Sequence, residues 1–295
     1  MGDYVLSCCS TADMPIDFFK VRDIAYLCFH FYLDGKLYVD DLGQSMKFSQ
    51  LYDKMAQGSE TQTSQPNVEE YREHFEKFLA DGRDVIHLTL SSGISGANNS
   101  ANIAAEELRE KYPERKLIVI DSLAASGGFG LFVDKLADLR DEGKSIEEIE
   151  EFALKNRLRV HHWFFTTDLT YLVRGGRVSK VSGFFGNMLN ICPLLNVNNE
   201  GKLIPRFKIR TKKKVIDATV EQMIMHAENA NDYDGKCFIT HAHCLEDAKA
   251  LASLIEEKFP ALKGKILINY IGTTIGAHTG PGTVALFFWG DERGE

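Results

Sequence analysis

The sequence predicts an α/β fold with two domains. Short apolar runs typical of strands alternate with amphipathic segments of helical length, which indicates strands joined by helical crossovers. The length of 295 residues suits about two domains of roughly 100–200 residues each. A fresh strand-like run begins near residue 160. We therefore expect an N-terminal domain with a parallel sheet over 1–158 and a C-terminal domain with a mixed sheet over 159–295.

The elements of the first domain follow from periodicity and from turn and cap signals. Asn67 is placed to cap a helix with apolar residues at helical spacing, and Ser145 with Glu148 forms a capping-box pattern. Asp34-Gly35 is typical of a hairpin turn. The predicted strands are 4–7, 24–33, 36–39, 85–90 and 116–120, and the predicted helices are 15–21, 48–56, one starting after residue 67, 97–111, 125–142 and 146–157.

The second domain is predicted to have a mixed sheet, because a hairpin of antiparallel strands occurs among strands that are joined by helices. The polar turn 198–201 lies between two strand-like runs. The other predicted elements are strands 162–166, 237–241, 266–270 and 283–289 and helices 213–227 and 245–258. Seven apolar residues that follow the turn at Gly175-Gly176 fit either the core or a ligand wall: Phe184, Phe185, Met188, Leu189, Ile191, Leu194 and Leu195.

Composition and charge exclude several classes of protein. The net charge of −8 and the sequence pI near 5.6 argue against nucleic acid as a partner, because phosphate binding needs clustered Lys and Arg. No apolar run reaches the roughly 18 residues of a membrane span, and no secretory signal is visible. The six cysteines contain no CxxC pair, which fits a reducing compartment. We expect a cytoplasmic protein without a metal site.

Three polar loops, 63–66, 91–96 and 278–282, are the main candidates for a binding site. The loop 91–96 lies between a predicted strand and a predicted helix, where free backbone N–H groups and the helix dipole favour an anion. Its serines Ser92 and Ser95 offer hydroxyl donors, and Ser95 is also a plausible helix cap. The Walker pattern and the dinucleotide fingerprint are both absent, so nucleotide binding is not supported.

The histidines leave alternatives open. His278, at the mouth of a turn before an apolar strand, fits an anion donor, a general base or an ordinary hydrogen-bonded residue. A hydrolase triad of Ser95, His278 and Asp121 is conceivable from residue types, but the Gly-x-Ser-x-Gly elbow is missing. Neither His241 with His243 nor the pair at 161–162 has a second ligand cluster at a recognisable spacing.

The segment 208–214 is the one strongly basic run in an acidic chain. Clustered positive charges at the start of a helix oppose its dipole, so an anionic partner or a phosphoryl group would offset them. A solvated hairpin end is the simpler alternative.

Six motifs occur in order over nearly the whole chain: Thr63-Ser64-Gln65-Pro66, Ser91-Ser92-Gly93-Ile94-Ser95-Gly96, Asp121-Ser122, Gly175-Gly176-Arg177-Val178-Ser179, Arg210-Thr211-Lys212-Lys213 and Ala277-His278-Thr279-Gly280. Together they resemble the DegV family of bacterial lipid-binding proteins. The resemblance implies two α/β domains with a long-chain fatty acid buried between them. It also implies that the protein needs no cofactor and has no catalytic activity of its own.

The same resemblance assigns roles to residues. It implies that Thr63 and Ser95 hold the carboxylate, with Ser92 and Gly96 of the same loop also contacting the fatty acid. His278 would lie beside the carboxylate. In fatty acid kinase systems, similar proteins present the acid to a separate kinase for acyl phosphate formation, and His278 and Arg210 would serve that encounter.

Two other functions are considered beside this prediction, and the sequence differs from the family pattern at one position. A serine hydrolase acting on acyl esters or thioesters is the alternative, and a regulatory lipid sensor is a third option. Family members usually carry Asp where this chain has Cys9, so a polar role at that position is in doubt. No motif specifies the length or unsaturation of the fatty acid, the oligomeric state or the kinase.

Overall fold

The computed structural model describes residues 4–179 and 191–295, which contain helices and strands in alternation. The strands are β1 (Tyr4–Cys9), β2 (Ile24–Leu27), β3 (His30–Leu33), β4 (Lys36–Val39), β5 (Thr61–Ser64), β6 (Asp84–Thr89), β7 (Leu117–Asp121), β8 (Val160–Phe165), β9 (Ile191–Val197), β10 (Leu203–Arg210), β11 (Phe238–His241), β12 (Leu267–Tyr270) and β13 (Val284–Trp289). The helices are α1 (Ile16–Val21), α2 (Phe48–Ala56), α3 (Val68–Ala80), α4 (Ala97–Lys111), α5 (Ser126–Asp141), α6 (Ile146–Asn156), α7 (Thr170–Arg174), α8 (Lys212–His226), α9 (Leu245–Lys258) and α10 (Thr273–Thr279).

The strands form three sheets. The first has the order β2-β1-β6-β7 with parallel neighbours throughout. The second has the order β10-β9-β8-β13-β11-β12 and is mixed, because only β11 and β12 run parallel. A small antiparallel sheet, β4-β3-β5, is separate from both. The α/β fold class is confirmed, and the division at residues 158 and 159 stays a prediction.

Helix α5 joins the two larger sheets. Most of its residues are buried, and its second and third residues are glycines at the six-stranded sheet. A Cβ on Gly127 would lie 2.8 Å from the Phe287 ring, and one on Gly128 would lie 2.2 Å from the His162 ring. Only glycine permits this approach, so the Gly-rich run serves helix-to-sheet packing. The N-terminus of α5 is thereby held against strands β8 and β13.

The predicted helix caps at Asn67 and Ser145 are confirmed by side-chain hydrogen bonds. Asn67 Oδ1 accepts a hydrogen bond from the Glu70 N–H at 3.0 Å, and Ser145 Oγ accepts one from the Glu148 N–H at 3.2 Å. Ser95 differs from its prediction, because Gly96 occupies the N-cap position of α4. Ser95 Oγ instead accepts a hydrogen bond from the Ala97 N–H at 3.2 Å.

Three predicted elements were wrong. The run 24–33 is two strands in different sheets, because the chain leaves β1 at Phe29, whose N–H donates to Ser10 Oγ at 3.0 Å. The loop at Thr63 is strand β5, paired with β3. His278 lies in helix α10 rather than in a turn.

The apolar residues Phe184, Phe185, Met188 and Leu189 lie outside the described residues. Leu194 and Leu195 are buried in the core.

No helix in the described ranges is both long enough and apolar enough to cross a membrane.

Candidate functional site

A cavity of about 310 Å³ lies where the three sheets meet. This volume is at the lower end of the roughly 300–1,000 Å³ of typical ligand pockets. The residues that line the cavity come from both sides of residue 159: Phe29, Thr63, Ser64, Gln65, Leu90, Ile94, Ser95, Ala125, Ser126, His162, Phe164, Leu172, Arg177, Val197, Leu203, Ile271, Thr274, Ile275, His278, Thr279, Thr283, Ala285 and Phe287. All three polar loops of the sequence therefore contribute to one cavity.

One part of the cavity wall is polar, and Thr63 and His278 are at its centre. Thr63 Oγ1 and His278 Nε2 share a hydrogen bond of 2.7 Å. Strand β5 and helix α10 hold the two residues together, since Thr61 Oγ1 also donates to the Ala277 carbonyl oxygen at 3.0 Å. The other ring nitrogen of His278 faces the backbone of Gly175, where a Cβ would lie 2.1 Å from Nδ1. Gly175 is thus required for the His278 ring to fit.

Ser95 reaches the same wall from the start of helix α4. Its hydroxyl donates to Gln65 Oε1 at 3.3 Å, and the Gln65 amide nitrogen donates to Ser100 Oγ at 3.0 Å. Gln65 follows strand β5 directly, so it ties the Thr63 strand to the Ser95 loop. The long Ser95 bond leaves this hydroxyl ready to turn toward a ligand oxygen.

Arg177 is the cation of this wall, and reasoning from residue types alone did not single it out. Its Nε donates to the Ile94 carbonyl oxygen at 3.1 Å and its Nη1 to the Gly175 carbonyl oxygen at 2.6 Å. The side chain is partly buried and lines the cavity. Its place after the Gly175-Gly176 turn is a signal that could have identified it, because that turn directs the chain back toward the site.

Burial and Arg177 together determine the charge of His278. Loss of water contact is the larger cause and the Arg177 guanidinium the second, and they lower the pKa of His278 from 6.5 to about 4. The imidazole is therefore neutral near pH 7, with one N–H donor and one acceptor nitrogen. A carboxylate placed beside Arg177 and His278 would meet a positive charge and a donor.

Two further hydroxyls belong to the cavity lining. Thr279 Oγ1 is buried and makes no hydrogen bond with any described residue, so it is free for a ligand or for water. The Thr274 hydroxyl lies beside the Asp40 carboxylate, whose charged form it stabilises. Thr279 belongs to the third polar loop of the sequence, whereas no sequence signal indicated Thr274.

The opposite part of the cavity is an apolar floor made by cross-strand pairs of the six-stranded sheet. Phe164 on β8 faces Ala285 on β13, and Leu203 on β10 faces Val197 on β9. Phe29 and Leu90 from the first half of the chain complete this apolar surface. Such a surface offers dispersion contacts and no hydrogen-bond partners, so it favours an alkyl chain.

His162 is a polar residue of this part of the lining, and both of its ring nitrogens make hydrogen bonds within the protein. Nδ1 donates to the Val160 carbonyl oxygen at 2.9 Å, and Nε2 accepts from the Ala125 N–H at 3.2 Å. Burial lowers the pKa of His162 well below 6.5. This ring is therefore a neutral structural group.

A second recess of about 370 Å³ shares Thr63, Arg177 and His278 with the cavity. Its other walls are mainly polar: Glu60, Thr61, Gln62, Tyr171, Arg174, Gly175 and Ala277. The polar wall of the cavity is thus approached from two sides, by the apolar cavity and by the polar recess.

Three predicted site residues lie elsewhere. Ser92 is exposed, and its N–H donates to Asp121 Oδ1 at 3.1 Å. Gly96 is exposed at the start of α4, where a Cβ would lie 2.9 Å from Gln65 Oε1. Arg210 is exposed at the end of β10. The cavity lining contains none of these three residues, so their assigned contacts stay predictions.

The hydrogen bonds do not assemble a hydrolase triad. His278 is bonded to Thr63 rather than to Ser95. Asp121 accepts from the N–H groups of Ser92 and Leu123, each at 3.1 Å, and so organises the loop backbone. Geometry of this kind does not activate Ser95 as a nucleophile.

Cys9 is buried in the core of the four-stranded sheet. Its sulfur is 3.4 Å from Tyr71 Oη and 3.7 Å from His87 Nε2, and Ser7 Oγ links His87 to His74. Burial raises the pKa of the Cys9 thiol to about 11. The residue is therefore an unreactive member of a buried polar network and does not line the cavity.

The fold and the cavity define an α/β protein with a buried ligand pocket that is polar at one side and apolar at the other. The chain belongs to the DegV family, since the family model, described as an uncharacterised protein of the DegV family, matches residues 9–291. A DegV domain-containing protein of Clostridium perfringens is 38% identical over 293 residues, which cover 99% of each chain.

Two proteins of Thermotoga maritima are also similar. One is named a fatty acid-binding protein and is 31% identical over 280 residues, which cover 93% of each chain. The other is a DegV lipid-binding protein of known crystal structure. It matches with a TM-score of 0.84 and 28% identity over 99% of this chain and 100% of that one.

Proposed function

We propose that this protein binds one long-chain fatty acid in the cavity and presents its carboxylate to a separate fatty acid kinase. One observation carries the proposal. A cavity with an apolar floor ends in a wall of hydroxyl groups, a guanidinium and a neutral imidazole. The fatty acid-binding relative of Thermotoga maritima supports the same ligand class.

The head group lies at the polar wall. A buried carboxylate is costly unless several donors meet it. Thr63 and Ser95 each supply a hydroxyl, and Arg177 supplies the compensating charge at the cavity lining. His278 supplies one further N–H in its neutral form. The carboxylate replaces the Thr63–His278 hydrogen bond with bonds of its own.

The tail lies on the apolar floor. Burying about fifteen methylenes at roughly 0.8 kcal/mol each contributes on the order of 12 kcal/mol before association costs. This is ample for the acid to remain bound through purification. The shape of the floor, with its aromatic side chains Phe164 and Phe287, would select chain length and unsaturation.

The polar recess supports the presenting role. It opens onto the same Thr63, Arg177 and His278 that would hold the head group. In acyl phosphate formation a carboxylate oxygen attacks the γ-phosphorus of ATP and ADP leaves. The phosphoryl donor needs a polar, positively charged approach to that oxygen, and the recess with Arg174 and Arg177 offers one.

Native mass spectrometry of the purified protein tests the binding half. We expect a mass increment equal to one long-chain fatty acid, which solvent extraction removes and incubation with oleic or palmitic acid restores. A protein that carries no acid and takes up none would refute the proposal. Turnover of an acyl ester that is lost in Ser95→Ala would favour the hydrolase alternative instead.

Trapping with hydroxylamine tests the kinase half. A fatty acid kinase catalytic protein, ATP and the loaded protein should together give an acyl hydroxamate, and omission of this protein should abolish it. A loaded protein that supports no acyl phosphate formation with any kinase tested would limit the function to binding.

A further inference from the structure

Three side chains that are distant in sequence meet at the ends of the two central strands of the six-stranded sheet, β8 and β13. His161 is the second residue of β8, His226 is the last residue of α8, and Asp291 follows β13. Asp291 Oδ1 lies 2.8 Å from His161 Nε2 and 3.2 Å from His226 Nδ1. All three ligand-type atoms lie within 4.8 Å of one another. This cluster is separate from the cavity lining.

The backbone around the cluster is tied together. The Asp291 N–H donates to the His226 carbonyl oxygen at 3.0 Å, and the Gly290 N–H donates to the Arg159 carbonyl oxygen at 2.9 Å. A Cβ on Gly290 would lie 2.1 Å from that His226 oxygen, so glycine is needed for this approach. These contacts therefore fix the backbone positions from which the three side chains project.

The two imidazoles differ in freedom. The His161 side chain is 5% exposed and stacks on Phe288, with ring centroids 5.1 Å apart. The His226 side chain is 34% exposed and stacks on His161, with the rings 19° from parallel. Lone pairs of nearly parallel rings do not point at one atom, so a shared ligand requires the His226 ring to turn. The His226 ring also stacks on Trp163, with ring centroids 6.1 Å apart, so the rotation gives up both stacking contacts, and the 34% exposure of the side chain leaves room for it.

We propose that His161, His226 and Asp291 bind a divalent transition-metal ion, with Zn²⁺ as the representative ion. Two imidazole nitrogens and one carboxylate are a common ligand set for Zn²⁺, with bonds of roughly 2.0–2.2 Å in tetrahedral geometry. Such bonds place neighbouring ligand atoms about 3.3 Å apart. The two His–Asp distances are already 2.8 and 3.2 Å. Water fills the fourth position.

The protonation state of His161 and the positions of the two nearby arginines are compatible with a bound cation. Burial is the main cause that lowers the pKa of His161 to about 4, so its ring is neutral. Its Nε2 lies beside the carbonyl oxygen and the carboxylate of Asp291 and donates its proton to them in the metal-free protein. When the ion binds at Nε2, that proton moves to Nδ1 and the ring stays neutral. Arg159 is paired with Glu228 at 3.0 Å. Arg293 is turned away, with Nη2 donating to the Leu123 carbonyl oxygen at 2.8 Å.

Zinc titration of the tag-free protein after chelator treatment tests the proposal. Isothermal calorimetry should report one Zn²⁺ per chain, and Co²⁺ should give the visible absorption of a tetrahedral nitrogen and oxygen site. His226→Asn and Asp291→Asn should each weaken Zn²⁺ binding more than about tenfold. Zn²⁺ should also raise the melting temperature of the wild-type protein and leave that of His226→Asn unchanged.

His243→Asn is the matched control. His243 is 41% exposed and lies 3.4 Å from Asp53, so it is a histidine–carboxylate pair without a second imidazole in such a cluster among the described residues. This variant should bind Zn²⁺ like the wild type. If the wild type binds no Zn²⁺ at micromolar concentration, or if His226→Asn and Asp291→Asn bind it unchanged, the cluster is an ordinary histidine–aspartate ion pair and the proposal is wrong.

Discussion

The two sides of the cavity are built in opposite ways. The polar wall brings Thr63, Ser95, Arg177 and His278 from four separate segments, with hydrogen bonds that link those segments. The apolar floor comes mostly from adjacent strands of one sheet, in pairs such as Phe164 with Ala285. Recognition at the polar wall depends on individual donor atoms and one charge, whereas recognition at the apolar floor depends on the shape of the surface.

This difference predicts how each side responds to mutation. Loss of a single donor or charge at the polar wall should lower affinity for every fatty acid alike, because all of them carry the same carboxylate. A change in the floor should alter the preference between tails, because apolar contact scales with the area buried.

Removal of the charge at the polar wall should have the largest effect. In Arg177→Met we expect the free energy of fatty acid binding to weaken by about 2–5 kcal/mol, because the carboxylate would lose its buried cation. Arg174→Met is the control, since Arg174 is exposed and absent from the cavity lining. Displacement of a fluorescent fatty acid measures both variants. Equal affinities would show that the head group lies elsewhere.

Filling the floor should come next. Ala285→Leu places extra carbon atoms opposite Phe164. The cavity then has no room for about two to three methylenes of a long tail. At roughly 0.8 kcal/mol each, the loss is about 2 kcal/mol for palmitic acid. Decanoic acid should bind as in the wild type. A uniform loss for both acids would mean that the substitution disturbs the fold instead of the tail site.

A smaller effect is expected for the neutral donors. Thr63→Val keeps the shape and removes one hydroxyl, which should weaken binding by about 1–2 kcal/mol. Thr63→Ser is its matched control, because it keeps a hydroxyl at the same position of strand β5 and should bind like the wild type. If both variants bind alike in the same displacement assay, Thr63 is not a carboxylate ligand.

The two histidines of the cavity should respond differently to the ligand. The pKa of His278 is about 4 in the free protein, and a bound carboxylate stabilises the charged imidazolium and raises it. Binding of a head group that stays ionised then takes up protons, so for such a ligand acidification favours binding until His278 of the free protein titrates near pH 4. The pKa of His162 should stay low, because both its nitrogens are bonded within the protein. NMR titration of the rings, with and without an alkyl sulfonate that stays ionised, measures both. A ligand-induced pKa shift at His162, or the absence of one at His278, would contradict the placement of the head group beside His278.

Much of this site could be predicted from the sequence because glycines and hydroxyls mark tight loops at strand ends. The segments at Thr63, Ser95 and His278 all line the cavity, although Thr63 is in strand β5 and His278 is in helix α10 rather than in loops. Ser92 and Gly96 do not, because the strand-to-helix turn exposes them while Ser95 points inward. Arg177 was missed as a residue of the cavity lining, because an arginine after a turn has many ordinary roles.

Local patterns by themselves determined the α/β class, the caps at Asn67 and Ser145 and the hairpin at 198–201, because these depend on residues within a few positions of one another. Family motifs added the class of ligand that we propose. Only the tertiary structure decided that Thr63 bonds to His278 across 215 residues and that His161 meets His226 and Asp291. Such contacts depend on how the sheets pack, and that packing is the sum of many weak interactions which no single segment of the chain specifies.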